Sequence, residues 1–243
     1  MNESEITKKH LEDLAKRSYE RGYTVFSDFL NLNEISMLSL SKPVVPYRLY
    51  GGYDNAERCV AAFGDGDTDF PIVCIRIEPA NKKFADKLTH RDFLGSLMNL
   101  GINRSKLGDI LIKDNIGYLF CLDSIAPYIC ENLTRIKHTT VVCKLAESLP
   151  EFANELPEVS EINVSSLRTD AVISAVYKLS RSEASRLFAQ EKVFINAVAL
   201  HKEGTVLKDG DRVSVRGYGR FIFEKELRRT KKDRAVVAVR KFV

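Results

Sequence analysis

The chain has 243 residues, 44% hydrophobic and 29% charged, with a net charge of +4. That length allows one large domain or two or three small ones, and the balance is that of a water-soluble fold. No stretch approaches the roughly 18 apolar residues of a membrane span, and the first residues lack a signal-peptide core. A cytoplasmic protein with no membrane partner is expected.

The charge is unevenly placed. Residues 161–243 hold 18 Lys and Arg against 10 Asp and Glu, whereas residues 1–160 hold 19 against 23. A basic C-terminal part on an acidic body points to a polyanionic partner, against the plainer reading of a solvated lysine-rich face. The five cysteines, Cys59, Cys74, Cys121, Cys130 and Cys143, form no CxxC and sit mostly in apolar runs. Buried reduced thiols are expected rather than disulfides or a zinc site.

In chain order, Glu5–Arg21 carries Ile6, Leu11, Leu14 and Ala15 at helical spacing. Asn33 is placed to cap a second helix through Leu40. Residues 44–50, 58–63 and 71–78 read as strands, separated by Gly51-Gly52 and the acidic loop 64–69. These elements predict a small N-terminal α+β domain over residues 1–80. Residues 84–100 read as a helix with Phe84, Leu88, Phe93, Leu94, Leu97 and Leu100 on one face, closed by Gly101. Strands follow at 109–113 and 117–122 around Asp114-Asn115. A helix from Asp123 to about Ile136 holds Pro127 in its first turns, and a strand at 139–145 ends the run. That order predicts a middle α+β domain over 81–158; residues 147–160 read as a linker or, equally, as a short capping segment.

The third predicted domain spans 159–243. Its first helix, 169–179, buries Val172, Ile173 and Val176. Ser180-Arg181-Ser182-Glu183 is a capping-box pattern that opens a second helix to about Gln190. Free amides, a positive dipole end, a serine and an arginine at that helix start suggest a phosphate site; the plainer alternative is a well-capped surface helix. Short strands follow. Val213 and Val215 point in, and Arg212, Ser214 and Arg216 point out. The segments 221–228 and 235–242 read as a hairpin with the basic tip RRTKKDR.

The helix start LSRSEA, the strand KVFIN and the run DGDRVSVRGYGRF resemble an S4 RNA-binding domain. By that resemblance, RNA contacts are expected from Arg168, Lys178, Arg181, Ser182, Arg186, Lys192, Asn196, Arg216 and Arg220. Residues 88–110, LTHRDFLGSLMNLGINRSKLGDI, together with GGYDNAER at 51–58, resemble the YlmH family of bacterial S4-domain proteins across nearly the whole chain. The resemblance implies an α+β fold, with an RNA-binding-like middle domain and a terminal S4 domain. It implies a non-enzymatic, cofactor-free factor, expected as a monomer. Its implied partners are the large ribosomal subunit, that subunit's rRNA and the P-site tRNA, in quality control of stalled peptidyl-tRNA. It also carries a cell-division association.

Read from the residues alone, Arg91 or Arg104 touches RNA, or Arg91 and Asp92 pair within the domain; both readings stay open. His90-Arg91-Asp92 mimics a kinase catalytic loop but lacks its companion motifs. Asp65, Asp67 and Asp69 start like a calcium loop, yet Phe70 and Arg76 stand where glycine and glutamate are needed. An RNA-modifying enzyme with an S4 appendage is the main rival, and a cell-division accessory protein is a third. Neither a Gly-rich cofactor loop nor a large catalytic sheet domain is evident in residues 1–160.

Overall fold

The computed structural model describes residues 3–242. The fold is α+β, in two compact units, Met1–Glu155 and Leu156–Val243.

The first unit opens with α1 (Glu3–Arg21), β1 (Val25–Leu30) and α2 (Leu32–Ser41). The cap of α2 is Asn31, two residues before the expected Asn33: its side chain accepts from the amides of Asn33 and Glu34, and Glu34 answers at the Asn31 amide. β2 (Tyr47–Tyr50) and β3 (Cys59–Phe63) complete an antiparallel sheet in the order β1-β3-β2. β1 was not expected. Ser27 and Asp28 interrupt its apolar run, and a register shift between Phe26 and Phe29 breaks the period of two. Ser27 is nevertheless buried, because its hydroxyl accepts from the Ala61 amide at 2.9 Å.

The second sheet contains β4 (Ile72–Pro79), β5 (Leu107–Lys113), β6 (Ile116–Leu122), β7 (Arg135–Ile136) and β8 (Thr139–Leu145), in the order β5-β6-β4-β8-β7. β4 therefore lies in the middle of this sheet instead of closing a separate domain near residue 80, and the two expected N-terminal domains share one compact unit. α3 (His90–Asn99) and α4 (Ala126–Asn132) cover one face, where Phe93, Leu97 and Ile129 pack on Ile75, Ile77, Leu119 and Cys121. Part of the other face, Phe120 and Leu122, packs against Phe29, Tyr53 and Val60 of the first sheet region. Gly52 holds φ +97° there, and a Cβ on it would fall 2.2 Å from the Phe120 ring, so only glycine fits.

α3 is shorter than expected. A 3₁₀ turn at Lys82–Phe84 leaves Phe84 80% exposed, and the helix begins only after Thr89. The Thr89 amide and hydroxyl donate to Asp92 at 2.8 and 2.6 Å, and Lys137 pairs with the same carboxylate at 2.8 Å. The Lys137 contact, then those of Thr89, hold the Asp92 carboxyl down to about 2. A depressed carboxyl stabilises the fold above its unfolded value, about 3.9, and that contribution disappears as pH falls through the folded value. Asp92→Asn should therefore lower the urea midpoint at pH 7, and its deficit relative to wild type should shrink between pH 4 and 2. A deficit constant across that window would refute the assignment.

The second unit is one antiparallel sheet with two helices. Its elements are β9 (Val159–Val164), α5 (Thr169–Tyr177), α6 (Arg181–Ala189), β10 (Val193–Ile195), β11 (Val198–Ala199), β12 (Asp211–Val215), β13 (Gly219–Arg229) and β14 (Ala235–Lys241). The strand order is β11-β10-β12-β13-β14-β9. β9, whose first two residues fall in the stretch expected as linker, is an edge strand paired with β14. Val172, Ile173, Ala184, Leu187 and Phe188 of the helices pack on Val193, Val213, Val215, Phe221, Phe223, Val237 and Val239 of the sheet.

Candidate nucleic-acid interface

The helix pair sets the first half of the site. Lys178 caps the end of α5, its φ of 56° turning the chain back, and Ser180 caps the start of α6. Ala184, Leu187 and Phe188 face the core, so Arg181, Ser182 and Arg186 stay on the exposed side. The capping box forms as expected: the Ser180 amide and hydroxyl donate to Glu183 at 2.8 and 2.7 Å, and the Glu183 amide donates to the Ser180 hydroxyl at 3.2 Å. The same box corrects the phosphate-site reading. The Glu183 carboxylate already sits at the positive helix end, and those Ser180 hydrogen bonds hold its pKa below the usual carboxylate range.

The strands set the second half. Val213 and Val215 alternate toward the helices, so Ser214 and Arg216 point to the opposite sheet face. Arg220, opposite Ser214, joins them there. Each of the two arginines is steadied by an aromatic ring: Arg216 lies 5.3 Å from the Phe194 centroid and Arg220 4.2 Å from that of Phe242. The two faces meet at one end of the sheet. Here β10 begins, β12 ends in the Gly217–Gly219 turn, and β14 ends opposite Phe221. The Lys192 carbonyl accepts from the Arg216 amide at 2.9 Å, which binds the start of β10 to this end. Tyr177, the last residue of α5, lies 5.6 Å from Tyr218, and the Lys241 ammonium stands 4.8 Å over the Tyr177 ring.

Lys178 and the exposed α6 residues Arg181, Ser182 and Arg186, with Lys192, Arg216 and Arg220 at this end of the sheet, make up the candidate rim. Among the described residues, no carboxylate lies within ion-pair distance of Lys178, Arg181, Arg186 or Lys192. Lys241, Tyr177 and Tyr218 belong to the rim and were missed. Lys241 continues the inward alternation of Val237 and Val239 past the end of the core, and that pattern was available in the sequence.

Two expected contacts fall elsewhere. Arg168 precedes α5 at the end remote from Lys178 and forms a two-point pair with Asp170 at 3.0 and 3.2 Å. Its guanidinium pKa is raised mainly by Asp170, with Glu203 adding to the effect. Asn196 has φ 50° in the turn from β10 to β11. Its side chain accepts from the Arg212 amide at 3.0 Å and donates to Asp211 at 2.9 Å. Its amide organises the turn at the far end of β10. The hairpin tip is also partly neutralised, because Arg228 pairs with Glu161 and Arg229 with Glu226 and Asp233.

In the first unit, the residues singled out at 88–110 build structure. Arg104 donates to the carbonyls of Leu107 and Gly108, and Asp92 pairs with Lys137 rather than Arg91. Asp109 accepts from the Tyr53 hydroxyl and the amides of Glu57 and Arg58, while Arg58 donates to the Phe29, Leu107 and Arg104 carbonyls. The segments 51–58 and 88–110 are therefore two sides of one network. All five cysteines are free, and burial pushes the thiols of Cys74, Cys121 and Cys143 up to about 12, which makes them poor nucleophiles at neutral pH. Among the described residues, no group of three His, Cys, Asp or Glu side chains could hold a metal ion.

Residues 66–148 match the family model described as "Putative RNA-binding domain in YlmH". The chain is 30% identical over 234 residues to the "Ribosome-associated protein quality control protein P2" of Bacillus subtilis (strain 168), covering 90% of this chain and 88% of that one. A solved structure titled "Cell division protein ylmH from Streptococcus pneumoniae" is 21% identical, with a TM-score of 0.49, covering 60% of this chain and 92% of the other. On the strength of the near full-length relative and the matched domain, the chain belongs to the YlmH family.

Proposed function

We propose that this protein is a non-catalytic RNA-binding factor that holds rRNA and tRNA on the large ribosomal subunit, in the handling of stalled peptidyl-tRNA. In this reading the second unit is an S4-type domain. The observation that carries the proposal is the rim of Lys178, Arg181, Arg186 and Lys192, cations without carboxylate partners, continued by Arg216, Arg220 and Lys241. Structured RNA is recognised mainly through phosphates, 2′-hydroxyls and shape, and such a rim supplies several cationic donors for a phosphate backbone. The name of the Bacillus subtilis relative supports a ribosomal setting.

The test is crosslinking of the full chain to RNA in cells, followed by sequencing. Recovery of large-subunit rRNA together with tRNA is expected. Recovery of one nucleotide position that carries a modification dependent on the protein would point to an enzyme instead. In a second measurement, Leu156–Val243, which has its own core, should by itself retain affinity for structured RNA. If all binding of structured RNA remains with Met1–Glu155, the rim is not the site.

A further inference from the structure

The face of the five-stranded sheet turned away from α3 and α4 is only half covered. Phe120, Leu122 and Cys74 lie under the first sheet region, whereas in the next row Arg76 and Tyr118 are half-buried and Lys144 is exposed. In that row Arg76 of β4 stands directly between Tyr118 of β6 and Lys144 of β8. Phe152, from the 3₁₀ turn Glu151–Asn154, meets Tyr118 edge-on at 5.4 Å, and the Lys113 ammonium sits 4.9 Å over the Phe152 ring. A cleft of about 460 Å³ opens beside this row, lined by Arg76, Glu78, Tyr118, Lys144 and residues 145–151. An aromatic pair flanked by three cations on an open sheet is suited to stacking bases while holding their phosphates.

Arg76 adds an independent observation. One of its terminal nitrogens pairs with Glu78 at 2.8 Å, but its Nε is buried and finds no acceptor among the described residues. A buried donor without an acceptor is costly, and a turn of this partly exposed side chain would bring it to a base carbonyl in the cleft. Glu147 and Glu151 line the same cleft and repel phosphate from its depth. Those carboxylates accept from exocyclic amino groups, so the polarity suits a base inside and the backbone outside, along Lys113 and Lys144.

We propose that this sheet face binds single-stranded RNA, stacking bases on Tyr118 and Phe152 and admitting one base to the cleft beside Arg76. The inference rests on the RNA-binding reading above but assigns a second site, with a different form of RNA. The probes are a fluorescein-labelled unstructured RNA decamer of mixed sequence and an RNA hairpin, titrated by anisotropy against the full chain. Tyr118→Leu should weaken decamer binding about tenfold with little change in salt dependence, since the lost contribution is stacking. Lys144→Gln, at an exposed position that leaves the fold intact, should lower the log–log salt slope for the decamer by about 0.7. Hairpin affinity should be unchanged in both variants. Arg181→Ala combined with Arg186→Ala should show the opposite pattern. Unchanged decamer affinity in both sheet-face variants, or no decamer binding by wild type, overturns this inference. Decamer binding lost only in the Arg181/Arg186 variant overturns it too, while leaving the general RNA-binding reading standing. Absence of binding to either probe removes both.

Discussion

Asp109→Ala should lower the melting temperature of the first unit by about 10 °C, on a scale of about 2–4 °C per kcal/mol for a domain of this size. The Asp109 carboxylate accepts from the Tyr53 hydroxyl at 2.9 Å and from the amides of Glu57 and Arg58 at 2.7 and 3.3 Å. Alanine leaves all three donors without that acceptor in a half-buried setting, at about 1–3 kcal/mol for each one that water cannot reach. It also removes a neighbouring negative charge from two guanidiniums, although Glu34 remains beside Arg58. Burial lowers the Arg58 pKa, and burial together with Arg58 lowers that of Arg104 to about 10. Both stay charged at pH 7, so the cost of an uncompensated charge adds to the lost hydrogen bonds, for a total of about 3–5 kcal/mol. Asp109→Asn keeps an acceptor oxygen and should fall between. Calorimetry decides the matter: an alanine variant melting within about 2 °C of wild type would show that the network does not hold the two sheets.

That network explains why two distant stretches both stood out in the sequence. GGYDNAER and the block at 88–110 meet at Asp109, so their side chains are matched to each other rather than to a ligand. Much of the fold could be read because local chemistry and tertiary contacts agree. The capping box at Ser180 and Glu183 forms as expected. The strand Thr139–Leu145 has its expected ends, and Asp114 and Asn115 turn with φ of 51° and 64° as a tight hairpin requires. The failures occur where tertiary contacts override local pattern. In β1 the buried Ser27 breaks the apolar alternation, and only its bond to Ala61, 34 residues away, makes it a core residue. Phe84 has helical spacing from Leu88, but Thr89 and Asp92 start the helix later and leave Phe84 outside.

The site was legible as a composition and less so as a geometry. Counting cations in residues 161–243 located the basic unit, but a count cannot tell a paired guanidinium from a free one. Arg168 and Asn196 look equivalent to the rim residues in the sequence. Asp170 two positions on holds the first, and Asp211, 15 positions on, holds the second. The sheet face around Tyr118 was invisible for a related reason: Arg76, Tyr118 and Lys144 are far apart in the chain and become neighbours only through strand register.

The largest effect on binding should come from the rim. Replacing Lys178, Arg181, Arg186 and Lys192 with glutamine removes four cations that have no carboxylate within ion-pair distance among the described residues. If each meets one phosphate of a folded RNA, the slope of log affinity against log salt should fall by about 0.7–0.9 per residue, roughly 3 in all. At 0.1 M salt this corresponds to a loss of roughly a thousandfold, most of it from counterion release. The fold should survive, because none of these side chains makes an ion pair and the α6 cap rests on Ser180 and Glu183. Arg168→Gln is the informative contrast. Its charge is already matched by Asp170, so its release of counterions is small and the salt slope should barely move. Asn196→Ala should loosen the turn after β10 and reduce stability, again without altering the slope. Titrating a hairpin RNA against the four-residue variant at several salt concentrations separates these cases. A folded variant that keeps the wild-type slope would mean that the rim does not meet the RNA backbone, whatever affinity remains.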